Sequence, residues 1–400
     1  MSIELQKFQG GGNMGKAAGI GVVFTAIAIV GLFMDRKAAL FSYLIGFTYW
    51  AGIALSSLIL LMIFHAFRAK WMVVIRRPLE AMATTVPLFL LLIIPILVYL
   101  PELYSWVNPE AAGIFTEHEL HILHEKHSWL NVGFFVGRTI GYLLVATLIG
   151  WRLFGLSTRQ DASGDPALTQ KQRNLGTGAL PLMAMVITFA GFDWLMSLNP
   201  IWFSTIFGVY YFAGSFISTF AILIIATTMA RDPARKDLHG TFVSVEVMHN
   251  LGKLLFAFTC FWAYAAFSQM MLIWIANLPE EIPFYTVRMK GAWAPVGVAL
   301  IITHFVIPFA LLLSRDIKRK PLRLSLVGLW VLAVHLLDLF WLVMPTLDSH
   351  NVKFSLWIIP AWLGIGGLSV AFALWKIRGH YTLPVKDPFL DVSLRYRQPT

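Results

Sequence analysis

The chain has 400 residues, of which 58% are hydrophobic and 13% are charged, and its formal net charge is +10. Soluble globular domains carry about 25% charged residues, so this composition excludes a large soluble domain and predicts a polytopic membrane protein. The positive charge does not indicate nucleic-acid binding, because the Lys and Arg residues follow alternate loops rather than one soluble face.

Ten apolar segments reach the roughly 20 residues that a membrane-spanning helix requires. Such segments must be helical, because lipid offers backbone groups no other hydrogen-bond partner. The predicted spans, numbered in chain order, are Ala17–Met34, Phe41–Phe67, Leu79–Leu100, Leu130–Phe154, Ala179–Leu198, Ile201–Ala230, Asn250–Ala276, Ala292–Leu313, Leu324–Met344 and Phe354–Trp375.

Positively charged residues concentrate in the loops after even-numbered spans, and such loops face the cytoplasm. This distribution predicts that both termini are cytoplasmic, with residues 1–16 as an N-terminal segment, 17–376 as the membrane domain and 377–400 as a tail. The residues on which the orientation depends are Arg68, Lys70, Arg76, Arg77, Arg152, Arg159, Lys171, Arg173, Arg231, Arg235, Lys236, Arg315, Lys318, Arg319, Lys320 and Arg323.

A short internal repeat relates spans five and nine. Asp193 precedes Pro200 by seven positions, and Asp338 precedes Pro345 by the same offset. Leu-Pro-Glu strings also end spans three and seven. The pattern predicts two related four-helix bundles in parallel orientation, at 41–198 and 201–344, flanked by spans one and ten. Coincidence is the alternative interpretation of so short a match.

Arg138 and Asp193 place opposite charges inside predicted spans four and five. Unpaired charge is expensive in hydrocarbon, so such residues face the bundle interior, pair with one another and often mark a transport or proton path. Their similar depth predicts that they can meet as an ion pair. Two hypotheses stay open: a structural pair that pins two helices, or a proton or ligand site near the outer face.

His304 and His335 fall near the middle of adjacent spans, and Asp338 shares a helix face with His335. Imidazole titrates near neutral pH, which suits a proton relay. Bis-histidine haem ligation is a less favoured alternative, because a two-haem bundle needs more paired intramembrane histidines. Hydrogen-bonded core histidines without a function are the third possibility.

Glu246, His249 and Lys253 are spaced to share one helix face at the cytoplasmic start of span seven. They are a candidate proton-collecting mouth, and snorkelling side chains at the interface are the alternative. With the preceding residues they predict a relay from the cytoplasmic face, through mid-membrane, to the outer third. We predict no catalytic residue and no metal ligand in this chain, and the sequence identifies no particular residue as quinone-binding.

Several strings resemble one family of membrane proteins. The chain is similar to the polysulphide-reductase membrane-subunit superfamily, and most closely to the multi-pass membrane subunits of bacterial alternative complex III. The resemblance covers nearly the whole sequence. The strings that carry it are Trp50–Ser57, Ile75–Glu80, Leu130–Phe135, Phe192–Leu198, Trp202–Ile206, Leu251–Thr259, Phe267–Gln269 and Ala276–Glu281.

This resemblance implies a ten-helix subunit of a quinol-oxidising respiratory complex that passes electrons to cytochrome c or a similar acceptor. It implies four kinds of partner: a paralogous quinol-binding membrane subunit, a periplasmic iron–sulfur subunit, c-type cytochrome subunits and, as a further candidate, a terminal oxidase. Menaquinol or ubiquinol would be the substrate of the complex. By position, Asp193, Lys253, His249 and Arg138 are the residues that it marks for proton movement.

Cofactors of such a complex would lie outside this chain. Cys260 is the single cysteine, which excludes a self-contained iron–sulfur cluster and a Cys-x-x-Cys-His haem attachment. We therefore predict a cofactor-free subunit that is not catalytic alone. Asn250 and Ile201 depart from the family pattern, which has titratable residues at both places, and these departures are equally compatible with a rerouted relay or with a scaffold. A quinol-binding subunit and an independent transporter are the remaining alternatives.

Overall fold

Ten helices that can span a membrane make up most of the computed structural model, which describes residues 5–232, 235 and 237–397. No β-strand occurs within those ranges, so the protein has an all-α integral membrane fold, as its composition predicted. Lys236 and the outermost residues of both predicted terminal segments fall outside them. Helices 1 to 10 are Gly12–Met34, Arg36–Ala66, Lys70–Val98, Val132–Ser163, Ala167–Leu198, Phe207–Met229, Val245–Ala276, Gly291–Leu313, Pro321–Thr346 and Ile358–Ile377.

The helices pack in two groups with the same internal pattern. Helix 2 packs against helices 3 and 5, and helix 4 packs against helix 5. In the second group helix 6 packs against helices 7 and 9, and helix 8 contacts both of those. Helices 1 and 10 pack on each other and lie against helix 2. The contacts are those of two four-helix bundles with two flanking helices, and their origin in a repeat stays a prediction.

Helices 2 and 6 form the centre of the molecule and are the most deeply buried of the ten. Small residues let their backbones approach closely. A Cβ atom on Gly52 would lie 2.8 Å from the Tyr211 hydroxyl, and one on Gly214 would lie 2.6 Å from Cε1 of His335. Glycine is therefore required at both contacts.

Two tyrosines cross between the groups. The Tyr211 hydroxyl of helix 6 donates to the Thr48 carbonyl of helix 2 at 2.7 Å. The Tyr49 hydroxyl of helix 2 donates to the Leu332 carbonyl of helix 9 at 3.0 Å. Both side chains are fully buried, so each group inserts one aromatic side chain into the other.

The two ends of the bundle differ in what covers them. At one end, the termini face, the amide of Phe8 donates to the His380 carbonyl, and the C-terminal segment reaches the end of helix 4 and the loop after helix 6. The opposite end, the distal face, carries the short helices Glu117–Lys126 and Ile282–Met289. The assignment of the termini face to the cytoplasm stays a prediction.

Helix 3 corrects one sequence prediction. We predicted that it begins at Leu79, with Arg76 and Arg77 in the preceding loop. The span instead begins at Lys70, and both arginines are almost fully buried inside it. The prediction was wrong because counting positive charges cannot distinguish a solvated arginine from one whose carboxylate partners come from distant parts of the chain.

Other helix ends also differ from the predicted ones. Helix 4 continues to Ser163, and helix 5 already begins at Ala167. Most of the charged segment that we predicted as a loop between them is therefore helical. Helix 6 begins at Phe207 rather than Ile201. Hydropathy marks where a helix is apolar, and it does not mark how far the helix continues beyond the membrane.

Candidate functional site

Asp338 is the centre of a buried polar cluster in the second group. Its Oδ1 accepts a hydrogen bond from the Tyr210 hydroxyl of helix 6, and its Oδ2 accepts one from Nε1 of Trp262, on helix 7, at 3.2 Å. Nδ1 of His335 lies 3.5 Å from the same Oδ2. With His304 of helix 8, these residues form what we call the histidine–aspartate cluster. Four different helices thus meet at one carboxylate.

His304 lies where helix 8 departs from α-helical geometry. Residues Ile301–Val306 form a π-helical turn, a feature found frequently at functional sites. The turn presents the imidazole to Trp262, with ring centroids 3.9 Å apart, and to His335, with centroids 6.1 Å apart. The local backbone therefore aims His304 into the cluster.

Both imidazoles in this cluster are buried without hydrogen-bond partners. His304 is 2% exposed and His335 is 1% exposed, and no ring nitrogen of either residue forms a hydrogen bond with the described side chains and backbone. Buried polar groups are normally hydrogen-bonded, and exceptions are costly. The cluster therefore holds proton-binding atoms that the fold does not use for its own stability.

The cluster also has the composition of a metal site. One ligand atom from each of His304, His335 and Asp338 lies within 4.8 Å of the others. Zinc holds nitrogen and oxygen ligands at about 2.0–2.2 Å from the ion, so the ligand atoms of one zinc ion must lie closer to one another than 4.8 Å. Both carboxylate oxygens also already accept hydrogen bonds. The arrangement fits proton exchange better than metal ligation, and the prediction of a metal-free chain stays a prediction.

A haem between the two histidines would compete with protein side chains. Trp262 stacks on His304, and the backbone of Gly214 lies against His335. A porphyrin would have to displace this packing. The structure therefore gives no support to the bis-histidine alternative, while the cofactor-free prediction stays untested.

Arg138 and Asp193 meet in the first group, as the sequence suggested. Nε of the arginine lies 2.9 Å from Oδ2 of the carboxylate, and Nη2 lies 2.8 Å from Oδ1. The Tyr142 hydroxyl donates to Oδ2 at 2.9 Å. We call these three residues the arginine–aspartate cluster. Asp193 is fully buried, so the pair lies in a medium that strengthens its attraction.

The remaining surface of the guanidinium is also occupied. Its Nη1 donates to the Trp129 carbonyl at 3.0 Å. The rings of Trp129 and Phe134 lie 4.0 Å and 4.1 Å from its central carbon, within the range of cation–π attraction. This cluster is saturated with partners, which is the arrangement expected of a structural ion pair.

Glu246, His249 and Lys253 lie together at the termini face. Nδ1 of His249 is 4.0 Å from a Glu246 oxygen, and the other Glu246 oxygen forms an ion pair with Arg319 at 2.8 Å. Lys253, Lys318 and Arg319 all act electrostatically on His249. Three cations thus gather near one carboxylate, which gives this part of the termini face a positive potential.

The predicted relay residues do not form one chain of contacts. No direct hydrogen bond joins the arginine–aspartate cluster to the histidine–aspartate cluster within the described residues. Along helix 7, Lys253 and Trp262 are nine positions apart, a rise of about 14 Å. Leu255 and Thr259, which lie on the helix between these two positions, are buried. Proton passage there would require water molecules between the two groups.

A further buried charge network escaped the sequence prediction. Arg76 pairs with Glu80 at 3.1 Å and with Asp387 of the tail at 2.6 Å. Arg77 pairs with the same Glu80 at 3.0 Å and with Asp161 of helix 4. The i,i+3 and i,i+4 spacings to Glu80 were the only signal in the sequence. The network fastens the tail to helices 3 and 4.

Comparison with known proteins adds no identity. No protein-family model matches the chain, and no curated protein matches it. The family resemblance noted from the sequence motifs therefore stays a prediction.

Proposed function

We propose that this protein is a membrane subunit that moves protons through its second four-helix group. The observation that carries the proposal is the histidine–aspartate cluster: two buried imidazoles whose ring nitrogens form no hydrogen bond, beside one buried carboxylate. Buried ionisable groups inside membrane helices are functional more often than not. Imidazole exchanges protons near neutral pH, and a neighbouring carboxylate stabilises the imidazolium that forms.

Each residue has a distinct part in this proposal. His335 accepts a proton at a ring nitrogen, and the Asp338 carboxylate, 3.5 Å away, stabilises the resulting charge. His304 offers the adjacent proton-binding site. The Tyr210 hydroxyl holds one carboxylate oxygen of Asp338. His249 and Glu246 form the entrance at the termini face.

Arg138 and Asp193 have a structural part in the proposal. Their charges neutralise each other, and every polar atom of the carboxylate has a partner. A proton that enters this pair must displace a bidentate arginine, which is unfavourable in a buried site. The pair therefore fastens helix 4 to helix 5, rather than carrying protons as the family resemblance implied.

The resemblance further supports a place in a quinol-oxidising respiratory complex in a bacterial inner membrane. This chain would contribute the proton path, while partner subunits would hold iron–sulfur clusters, haem c and the quinol. Affinity purification through a tag on this chain tests that assignment. The expected result is co-purification of haem- and cluster-bearing subunits, seen in the visible and paramagnetic resonance spectra. Purification as a solitary chain that takes up solute would instead indicate a transporter.

The proton path is tested in the purified assembly reconstituted in vesicles, with the number of protons moved per electron as the measurement. Asp338→Asn should lower that number about tenfold or more. The matched control is the double variant Arg138→Gln/Asp193→Asn, which removes both charges at the corresponding place in the first group and should leave the number unchanged. Normal proton movement in Asp338→Asn would contradict the path and leave a structural anchor as the function.

A further inference from the structure

An apolar cavity lies between helices 7 and 8, on the side of the second group that faces away from the first. Its volume is about 530 Å³. Exposed apolar side chains form its rim, among them Tyr264 and Phe267 of helix 7 and Val298 and Ile301 of helix 8. These residues face the surroundings of a membrane-spanning bundle, so the cavity opens sideways towards lipid rather than towards water.

Arg288 closes the inner end of this cavity. It lies on the short helix Ile282–Met289 at the distal face, is 3% exposed, and also borders a separate cleft that opens at that face. Its guanidinium donates to the carbonyl oxygens of Phe284, Trp341 and Leu342 at 2.9, 3.2 and 2.7 Å. A guanidinium has five N–H donors, so two remain.

The charge of Arg288 is not neutralised by the protein. No aspartate or glutamate in the described part of the chain acts on it, and burial lowers its pKa to about 9. Every other arginine that is nearly fully buried among the described residues has a carboxylate partner, as Arg76 and Arg77 do. A buried, uncompensated cation is unfavourable unless something outside the chain supplies the anion.

A second unpaired donor lies in the same cavity. Nε1 of Trp341 is buried without an acceptor, and Trp341 is 9% exposed. Gly297 of helix 8 lies opposite, where a Cβ atom would come within 3.4 Å of that nitrogen. Because Gly297 has no side chain, helix 8 provides no side-chain acceptor for the indole N–H at this position.

We propose that this cavity binds an acidic amphiphile, with its aliphatic chain between helices 7 and 8 and its anionic oxygens on Arg288 and Trp341. The shared chemistry is that of a phospholipid phosphate or a fatty-acid carboxylate. Arg288 lies between the end of helix 7 at Ala276 and the start of helix 8 at Gly291, which is the level of the headgroups. Basic pockets between membrane helices bind acidic lipid headgroups in this way.

The proposal is tested by photo-crosslinking of the full chain in vesicles, followed by mass spectrometric mapping. Three probes carry a diazirine in the aliphatic chain: phosphatidylglycerol, a long-chain fatty acid and diacylglycerol, which has no anionic group. The expected result is labelling of helices 7 and 8 around Phe267 and Val298 by one or both acidic probes, and the probe that labels identifies the source of the anion. Equal labelling by diacylglycerol, or labelling by none of the probes, would overturn the proposal.

Two variants locate the site. Arg288→Gln should reduce labelling by the acidic probe about tenfold, since a hydrogen bond to a charged group is lost, whereas Arg288→Lys should retain it.

Because Arg288 also holds backbone carbonyls, its loss could disturb folding. Ala266→Phe fills the cavity without touching Arg288 and should abolish labelling there. The matched control is Ala257→Phe, a lipid-facing position on the same helix that does not line the cavity. Unchanged labelling in Ala266→Phe, or a partner protein crosslinked at this site in the assembly, would also overturn the proposal.

Discussion

Each of the two groups of helices contains an aspartate seven positions before a proline in the sequence, and the surroundings of the two aspartates are opposite in character. Asp193 is bound by an arginine through two hydrogen bonds and by a tyrosine through a third. Asp338 receives hydrogen bonds from a tyrosine and a tryptophan and lies beside two histidines whose nitrogens form no hydrogen bond. One fold thus supports a sealed ion pair in one half and, as we propose, a proton-exchanging cluster in the other.

The difference shows what each set of residues contributes. A bidentate arginine fixes the charge state of a carboxylate, because removing either partner leaves the other charge buried. Neutral hydrogen-bond donors hold a carboxylate in place, and the neighbouring imidazoles stay able to gain or lose a proton. We expect substitutions in the first cluster to affect stability and substitutions in the second to affect proton movement.

Arg138→Gln should have the largest effect on stability. It leaves the Asp193 carboxylate buried without a counter-ion, and breaking a buried pair costs about 3–5 kcal/mol. The free energy of unfolding, measured by reversible detergent titration in mixed micelles, should fall by that amount. The double variant with Asp193→Asn should recover most of the loss. A single variant as stable as the parent would mean that Asp193 is protonated and that the two clusters do not differ in kind.

Trp262→Phe tests the second cluster with a smaller expected effect. The change keeps the aromatic ring on His304 and removes the indole donor to Asp338. A hydrogen bond to a charged group contributes about 1.5–3 kcal/mol, and we expect a loss in that range by the same titration. A loss as large as that of Arg138→Gln would show that Asp338 depends on one partner as strongly as Asp193 does.

His304→Phe should have the opposite sign. It removes two buried nitrogens without partners and keeps a ring against Trp262, so the free energy of unfolding should stay constant or rise by about 1 kcal/mol. Proton movement in the reconstituted assembly should fall in the same variant. Such a combination of retained stability and lost activity marks a functional group. A clear loss of stability would instead indicate that a buried water molecule holds this imidazole.

Tyr142→Phe should have the smallest effect when stability and proton movement are considered together. Asp193 loses one hydrogen bond and keeps both bonds to Arg138, so the expected loss is about 1.5 kcal/mol, the lower end of the range for a hydrogen bond to a charged group. Proton movement should be unchanged. Impaired proton movement with normal stability would transfer the proton path to the first cluster and reverse the comparison.

Much of the fold follows from hydropathy, because lipid permits few alternatives to helices. The pairing of Arg138 with Asp193, and of His335 with Asp338, followed from depth and helical spacing. The other partners of Asp338 did not, because Tyr210 and Trp262 are two of many aromatic residues and nothing in their local sequence distinguishes them. Their role depends on how helices 6, 7 and 9 meet.

Arg76 and Arg77 also show that contacts between distant parts of the chain cannot be predicted from local sequence. Arg76 and Arg77 were interpreted as loop residues because positive charge near a helix end normally marks the cytoplasmic side. Asp387 lies 311 positions from Arg76, so no local pattern links them. Arg288 lies between two predicted spans, and its burial without a counter-ion is a property of the packed structure alone.

The exchanged tyrosines have a mechanical consequence. A carrier that alternates its opening must rock one half against the other, and here that movement would pull Tyr49 away from helix 9 and Tyr211 away from helix 2. The Tyr211 hydroxyl would also leave the narrow space that exists because Gly52 has no side chain. We therefore expect the interface between the two groups to stay closed through each turnover. A transported species must then be small enough to pass between atoms that do not move.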